Sequence, residues 1–428
     1  MIEKVEVADA ELYNLGFKVG LSEICPYRTS CYYYSASLSP DERYIAFYIR
    51  KLRDENEKHH KVALWDAKKK ETVNIFEITS EVSEIGPFVY KIEFMPSKKY
   101  IVVLCGRGGR FEDSIQIYDL NGELIKEIEF PSHIEYGRFH YHSVLYYEPM
   151  FNFAVSPDSK KIAISMQTDE VHKMGNNNIP RISDDEVFRP RGTPVPYSRL
   201  IYDWENDEII NLITEKDLGC LFSGRLRWPI DDGIVTSTII PPELQKKRDK
   251  FSISKESKRG QRPMTYATLI NPYTGEVISR IPVRYSNSTV QTYEPRLYTA
   301  SGTGYSGDAY FVRPGGEYIA IVNKYVDIAK FSDFDAEGRF IGKDNKWRTV
   351  KEYRAHADNI EWSPNSTELI YQYRKSFVTL DYEKNEVTRQ IIPNLKSFSA
   401  VRIFWLHDNT IIFLNGKESS HSVGIFKF

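Results

Sequence analysis

Two patterns of apolar and polar positions alternate along the chain. In the first, a stretch apolar at every second position leads through a turn into an unbroken apolar run. It is read in YSASLSPDERYIAFYI, YKIEFMPSKKYIVVLC, FNFAVSPDSKKIAISM, GRLRWPIDDGIVTSTI, AYFVRPGGEYIAIVN, NIEWSPNSTELIYQY and RIFWLHDNTIIFL. Period-two alternation predicts strands, and short apolar runs bounded by turn residues predict buried ones. The turns carry Pro40, Pro96, Pro157, Pro229, Pro314 and Pro364, with His407 in the equivalent place of the last copy. Proline presets φ, and Asp, Gly, Asn or Ser after it tolerates a tight backbone.

The second pattern follows each copy: a strand ending in Asp or Asn, a turn of Gly, Asn or Lys, and another strand. VALWDAKKKETVNIF, IQIYDLNGELIKEIEF, LIYDWENDEIINLI, TLINPYTGEVISRIPV, FSDFDAEGRFI and VTLDYEKNEVTRQII are its six copies, the fifth being the loosest. The two patterns together make a four-stranded antiparallel unit, the blade of a propeller. The units fall at 33–76, 90–130, 151–213, 224–283, 309–341, 359–392 and 402–428. The predicted fold is therefore an all-β, seven-bladed β-propeller forming a single domain over residues 1–428. The seventh unit stops at SVGIFKF without a fourth strand. An unpaired edge at that seam invites aggregation. The alternating residues 2–19, IEKVEVA or ELYNLGFKVG, are expected to supply the missing strand and close the ring.

The turns SPDERYIAFY and SPDSKKIAIS resemble the Ser-Pro-Asp-Gly turn of the WD-repeat and TolB-type propellers, and Leu-Trp-Asp at 64–66 resembles the end of a WD strand. The resemblance spans all seven units and implies architecture, not an activity. The Gly-His pair of true WD repeats is missing. Trp-Asp stands in one blade and Tyr-Asp in two others.

Composition agrees with this picture. Of 428 residues 41% are hydrophobic and 14% aromatic, with 29 Tyr and 23 Phe, a bias that suits pleated sheet. The net charge of −2 gives no global pull toward nucleic acid or a membrane. No apolar run is long enough for a signal peptide or a spanning helix, so a cytoplasmic protein is expected. Glutamine is scarce while Glu, Lys, Ile and Tyr are abundant, as in proteins of thermophiles. Cys25, Cys31, Cys105 and Cys220 form no CxxC pair and read as free thiols, although Cys25 and Cys31 are close enough in sequence to bridge.

Extra length collects between the second and third strands of blades and between one blade and the next, which in a propeller is one face. The long segments are 168–198, 241–264, 131–149 and 284–308. Long loops gathered on one face of a rigid scaffold usually carry function. Residues 246–262 hold eight basic side chains against two acidic ones, among them Lys246, Lys247, Arg248, Lys250, Lys258, Arg259 and Arg262. Arg107 and Arg110 flank a Gly-rich turn suited to nesting an anion, and blade three adds Arg181, Arg189 and Arg191, which form a basic rim if all share one face. These residues are the candidate binding set, for a protein partner or for a nucleic acid or other polyanion.

His133, His140 and His142 with Glu135 have ligand chemistry, but a hydrogen-bonded polar loop is the simpler reading, and no metal or cofactor is expected. No GxSxG, HExxH or phosphate loop occurs, and blade units leave no room for a separate hydrolase domain. Propeller hydrolases gather carboxylates around the central channel, whereas here Asp and Glu fall mostly in turns. The expected function is a non-enzymatic scaffold binding a protein partner through the long-loop face. Polyanion binding is the first alternative and a channel-mouth hydrolase the second.

Overall fold

A computed structural model describes residues 2–17, 19, 21–23, 32–34, 36–49, 61–78, 87–107, 113–129, 152–167, 197–239, 262–286, 309–322, 326–342, 348–350, 360–384, 386–416 and 422–428. Seven sheets of antiparallel blade strands account for nearly all of them, six running in chain order from an inner strand A to an outer strand D and the seventh taking its outer strand from the N-terminal segment. In blade one these are Ala36–Leu38, Tyr44–Ile49, Lys61–Asp66 and Glu71–Glu77. The A strands of blades two to seven are Pro87–Phe94, Asn152–Val155, Leu221–Ile230, Ala309–Val312, Ile360–Trp362 and Ala400–Trp405. No helix among the described residues is long and apolar enough to cross a membrane.

The sequence patterns have a direct cause in this geometry. B and C strands are covered on both faces by neighbouring blades, so Tyr44–Ile49 and Lys61–Asp66 are buried after their first residue. The D strand lies at the rim, and Glu71–Glu77 alternates between exposed positions and half-buried or buried ones, Phe76 being the buried one. Each pair of adjacent blades shares one apolar cluster. Met95, Val102 and Ile117 of blade two meet Phe153, Ile162 and Trp204 of blade three. Ile45, Phe47 and Trp65 of blade one meet Phe404, Ile412 and Val423 of blade seven. That last cluster closes the ring.

The N-terminal segment does more than expected. β1 (Glu3–Val7) and β2 (Glu11–Asn14) serve different blades. β2 pairs antiparallel with Ser422–Lys427 and completes blade seven, Glu11 opposite Ile425 and Asn14 opposite Ser422. β1 runs parallel to Glu386–Pro393 and gives blade six a fifth strand. A further short hairpin joins β3 (Leu21–Glu23) to β4 (Tyr32–Tyr34).

Blade five corrects the 309–341 boundary. Its C strand is Val326–Lys330, and its D strand is Arg348–Val350. The segment 331–341 is a small hairpin between them, held by a Phe334–Phe340 bridge. Phe331 and Phe334 are buried there with Leu269 and Ile281 of blade four, and the Arg280 guanidinium donates to the Ala336 carbonyl at 3.0 Å.

Turn chemistry is uniform. Asp66 accepts from the Lys68 and Lys69 amides at 2.9 Å, and its other oxygen takes the Arg43 guanidinium at 3.0 Å. The lone Trp-Asp thus caps its own turn. Asp119, Asp203, Asn271, Asp335 and Asp381 do the same at their positions. Burial alone raises these acids. At Asp66, hydrogen bonds from the Lys69 amide, Arg43 and the Lys68 amide outweigh it and hold the carboxyl below its ordinary 3.8. Asp203, Asp335 and Asp381 are lowered in the same way. A depressed folded-state pKa contributes stability that is present above the unfolded value and lost as pH falls through the folded one. Thermal midpoints are therefore expected to hold from neutrality to about pH 4 and drop below it, with a shallower drop in Asp66→Asn. Equal slopes for the two proteins would refute this account of the turns.

Candidate functional site

The A strands line the central channel, and along them residues packed into the inter-blade cores alternate with polar ones. Ile92 and Phe94 are buried on either side of Glu93, Leu226 and Trp228 beside Arg227, Ile360 and Trp362 beside Glu361, and Ile403 next to Arg402. Blades two, four, six and seven so contribute Lys91, Glu93, Arg227, Glu361 and Arg402 to the channel.

These groups sense one another across the ring. The Lys91 ammonium lies 2.6 Å from Glu93 Oε2 and donates to the Phe153 carbonyl of blade three at 2.6 Å. Burial pushes Lys91 down to about 8, against the pull of Glu93 and with the repulsion of Arg227 and Arg402. Burial also pushes Glu361 up to about 7, although Arg402 and Arg227 both favour its charged form. Asp and Glu were expected mostly in turns; Glu93 and Glu361 stand instead on inner strands. The signal was in the sequence as charged residues at mid-strand in YKIEF, RLRW and NIEW and at the start of RIFW.

The ring presents two unlike faces. On the A–B and C–D side, turns are tight and bonded from blade to blade. Lys99 of blade two pairs with Asp41 of blade one at 2.9 Å. The Ser97 amide of blade two donates to Ser159 Oγ of blade three at 2.8 Å. The His407 amide of blade seven donates to Glu42 of blade one at 3.0 Å. Beside the blade-five hairpin this face holds an apolar recess of about 550 Å³, walled by Ile230, Leu269, Ile278, Phe331, Phe334 and Ile341.

On the opposite face the strand ends frame the long connections 130–151, 168–196, 240–261 and 287–308. Arg107 ends the B strand of blade two, paired with Pro87, and Arg262 opens the C strand of blade four, paired with Ser286. Both therefore sit at the face of the long connections. Arg110, Arg181, Arg189, Arg191, Lys246, Lys247, Arg248, Lys250, Lys258 and Arg259 lie outside the described residues, as do His133, Glu135, His140 and His142. Among the described residues no three metal-ligating side chains gather. Cys105 and Cys220 are buried thiols outside any disulfide, with the Cys105 thiol 3.6 Å from Gln116 Oε1, whereas Cys25 and Cys31 lie outside the described residues.

The strand order and the seven shared cores define a seven-bladed β-propeller. No protein-family model matches the chain, and no curated protein is recognisably similar to it. Solved structures similar to it include a chain of the mitotic checkpoint complex, at 10% identity over 96% of this chain and 93% of that one, with a TM-score of 0.49. The β-propeller domain of Myceliophteria thermophila Cps50 (Swd1) is 8% identical over 92% and 96%, with a TM-score of 0.48. Kuenenia stuttgartiensis hydrazine synthase is 15% identical over 83% and 82%, with a TM-score of 0.42. At such distances the likeness is one of architecture, and no function is carried across it.

Proposed function

We propose that the protein is a non-enzymatic, cytoplasmic interaction scaffold that engages a protein partner with the face bearing its long connections. The asymmetry of the ring supports this reading. One face is sealed by short turns bonded to their neighbours, whereas the other carries four long insertions between rigid strand ends. Affinity capture from native extract, with and without nuclease, tests it against a variant in which 241–261 is replaced by a short Gly-Ser linker. The expected result is a set of protein partners that survives nuclease and is lost from the variant. Equal capture by both proteins would overturn the reading.

Polyanion binding is the second reading, favoured by eight basic side chains against two acidic within 246–262. Replacing Lys246, Lys247, Arg248 and Lys250 by Ser is then expected to weaken RNA or DNA binding to all sequences alike and to flatten its salt dependence. A flat filter-binding baseline at low salt would end that alternative.

A further inference from the structure

We propose that the recess between blades four and five is a docking site for a basic segment of a partner protein, which seats bulky apolar side chains in it and lays Lys or Arg residues along its rim. The recess lies on the face of the short turns, so this surface is additional to the one formed by the long connections. Its cause is the hairpin at 331–341. Blade five places this hairpin against the D strand of blade four, Val277–Ser286, and the two enclose about 550 Å³ with Ile230, Leu269 and Ile278. That volume falls within the roughly 300–1,000 Å³ of ligand pockets. Hydrogen bonds fix the wall before anything docks. The Arg280 amide donates to the Asp335 carbonyl at 3.1 Å, and Ser279 Oγ donates to the Phe331 carbonyl at 2.8 Å. The Ile341 amide closes on the Asp333 carbonyl at 2.8 Å. So held, Ile341 is 61% exposed, more than any other large hydrophobic side chain among the described residues, and Ile278 is 44% exposed. Docking takes this apolar wall out of water, and a wall already in place loses little freedom when that happens.

Charge around the recess selects the occupant. The segments that wall it, 229–232, 269–280, 313–317 and 330–342, carry seven acidic side chains against four basic ones. All four basic ones are engaged. Arg313 and Lys330 face Glu317 at 3.9 and 3.0 Å, and Arg339 lies 2.7 Å from Asp335 and 2.5 Å from Glu337. Arg280 donates to the Ala336 and Leu218 carbonyls at 3.0 and 3.1 Å. Asp231 and Asp232, which directly follow Ile230, and Glu276, two residues before Ile278, are exposed and form no ion pair among the described residues. An uncharged or acidic segment would leave these carboxylates unanswered, whereas Lys and Arg beside an apolar anchor match both parts of the surface.

The peptide acetyl-Lys-Lys-Leu-Phe-Lys-Lys-amide is the probe. Its controls are acetyl-Glu-Glu-Leu-Phe-Glu-Glu-amide, which reverses the charge, and acetyl-Lys-Lys-Ser-Ser-Lys-Lys-amide, which removes the anchor. Calorimetric titration into the full chain at about 0.05 M salt is expected to show saturable binding of the probe, with both controls at least about tenfold weaker. Ile341 stands outside the blade four–five core, so Ile341→Ser should keep the wild-type melting temperature and weaken the probe by about tenfold. If that variant shifts the melt, Ile278→Ser, on blade four, puts the same question. Replacing Asp231 and Asp232 together by Asn should weaken binding about threefold and flatten its salt dependence. Absence of saturable binding by the probe would overturn the proposal. So would equal binding of the Ser-Ser control, which would reduce the attraction to charge alone, or wild-type affinity in Ile341→Ser. Sedimentation of the full chain covers the remaining occupant. A species of two or more copies that Ile341→Ser disperses would give the recess to a second copy of this chain and overturn the proposal as well.

Discussion

Deleting residues 1–15 is expected to lower the unfolding midpoint of the whole protein by at least about 5 °C, whereas deleting residues 1–9 should cost clearly less. The difference follows from what each strand does. β1 adds a fifth strand to a blade that already has four of its own. β2 is the fourth strand of blade seven, the last blade in the chain, and without it that blade ends in a bare edge. The longer deletion also removes Leu15, which is buried at the blade seven–one junction, and with it the contact of Tyr13 with Trp65. Val7, buried in the blade six–seven cluster, is lost in both deletions. Burying an aliphatic side chain contributes about 1.5–3 kcal/mol, so Val7 and Leu15 alone account for about 3–6 kcal/mol. Every blade is held by its two neighbours, so weakening one junction releases constraint from the entire ring, and the loss should appear as one shifted transition. Calorimetric melts of the two deletions beside the full chain decide the matter. Equal midpoints for all three would show that β2 does not hold the ring together.

Much of this architecture is legible in the sequence because each blade repeats the same local physics. Ser-Pro-Asp at 39–41 and 156–158 forms the expected tight turn, with Glu42 and Ser159 at φ of 55° and 60°. Asp or Asn at the end of a strand marks the next turn as expected, and the structure adds the reason: its side-chain oxygen accepts from the amides of that turn. Misreadings arise where one local signal serves two structural ends. Asp335 caps a turn as its pattern says, but that turn belongs to an inserted hairpin, because Phe331 and Phe334 find their apolar partners on blade four. β1 alternates like any edge strand, and nothing local tells whether it pairs with blade six or blade seven. Tertiary pairing decides that.

The channel was missed for a different reason. Lys91, Glu93, Arg227, Glu361 and Arg402 each sit at a polar position of an alternating strand, where a charged residue is ordinarily facing water. Only the closure of the ring turns that polar side inward and brings four blades together. Charged residues within the first strand of the pattern in four copies, at mid-strand in three and at its start in the fourth, were the signal available. The basic side chains of the long connections were more conspicuous because they are contiguous in sequence, not because they are known to meet in space.

Phe413→Ala is expected to cost about 3–5 kcal/mol, the range for removing a large aromatic side chain from a core. The ring is fully buried at the junction of blades six and seven. Its centroid lies 5.3 Å from those of Phe377 and Phe398 and 6.2 Å from that of Phe426. Truncation opens a cavity amid side chains that themselves anchor two blades and the N-terminal strand β1. Gly424 supplies the internal control. It stands opposite Phe413 in the sheet, and a Cβ built there would come within 2.1 Å of the Phe413 ring. In the native background Gly424→Ala forces the ring to shift and should cost about 1–3 kcal/mol by overpacking. Once the ring has gone, the same methyl enters vacated space. The double variant should therefore be more stable than the sum of the single losses by at least about 1 kcal/mol. Denaturant titrations of the four proteins give the coupling directly. Strict additivity would show that Phe413 does not lie across Gly424, and that the glycine is there for some other need of the strand.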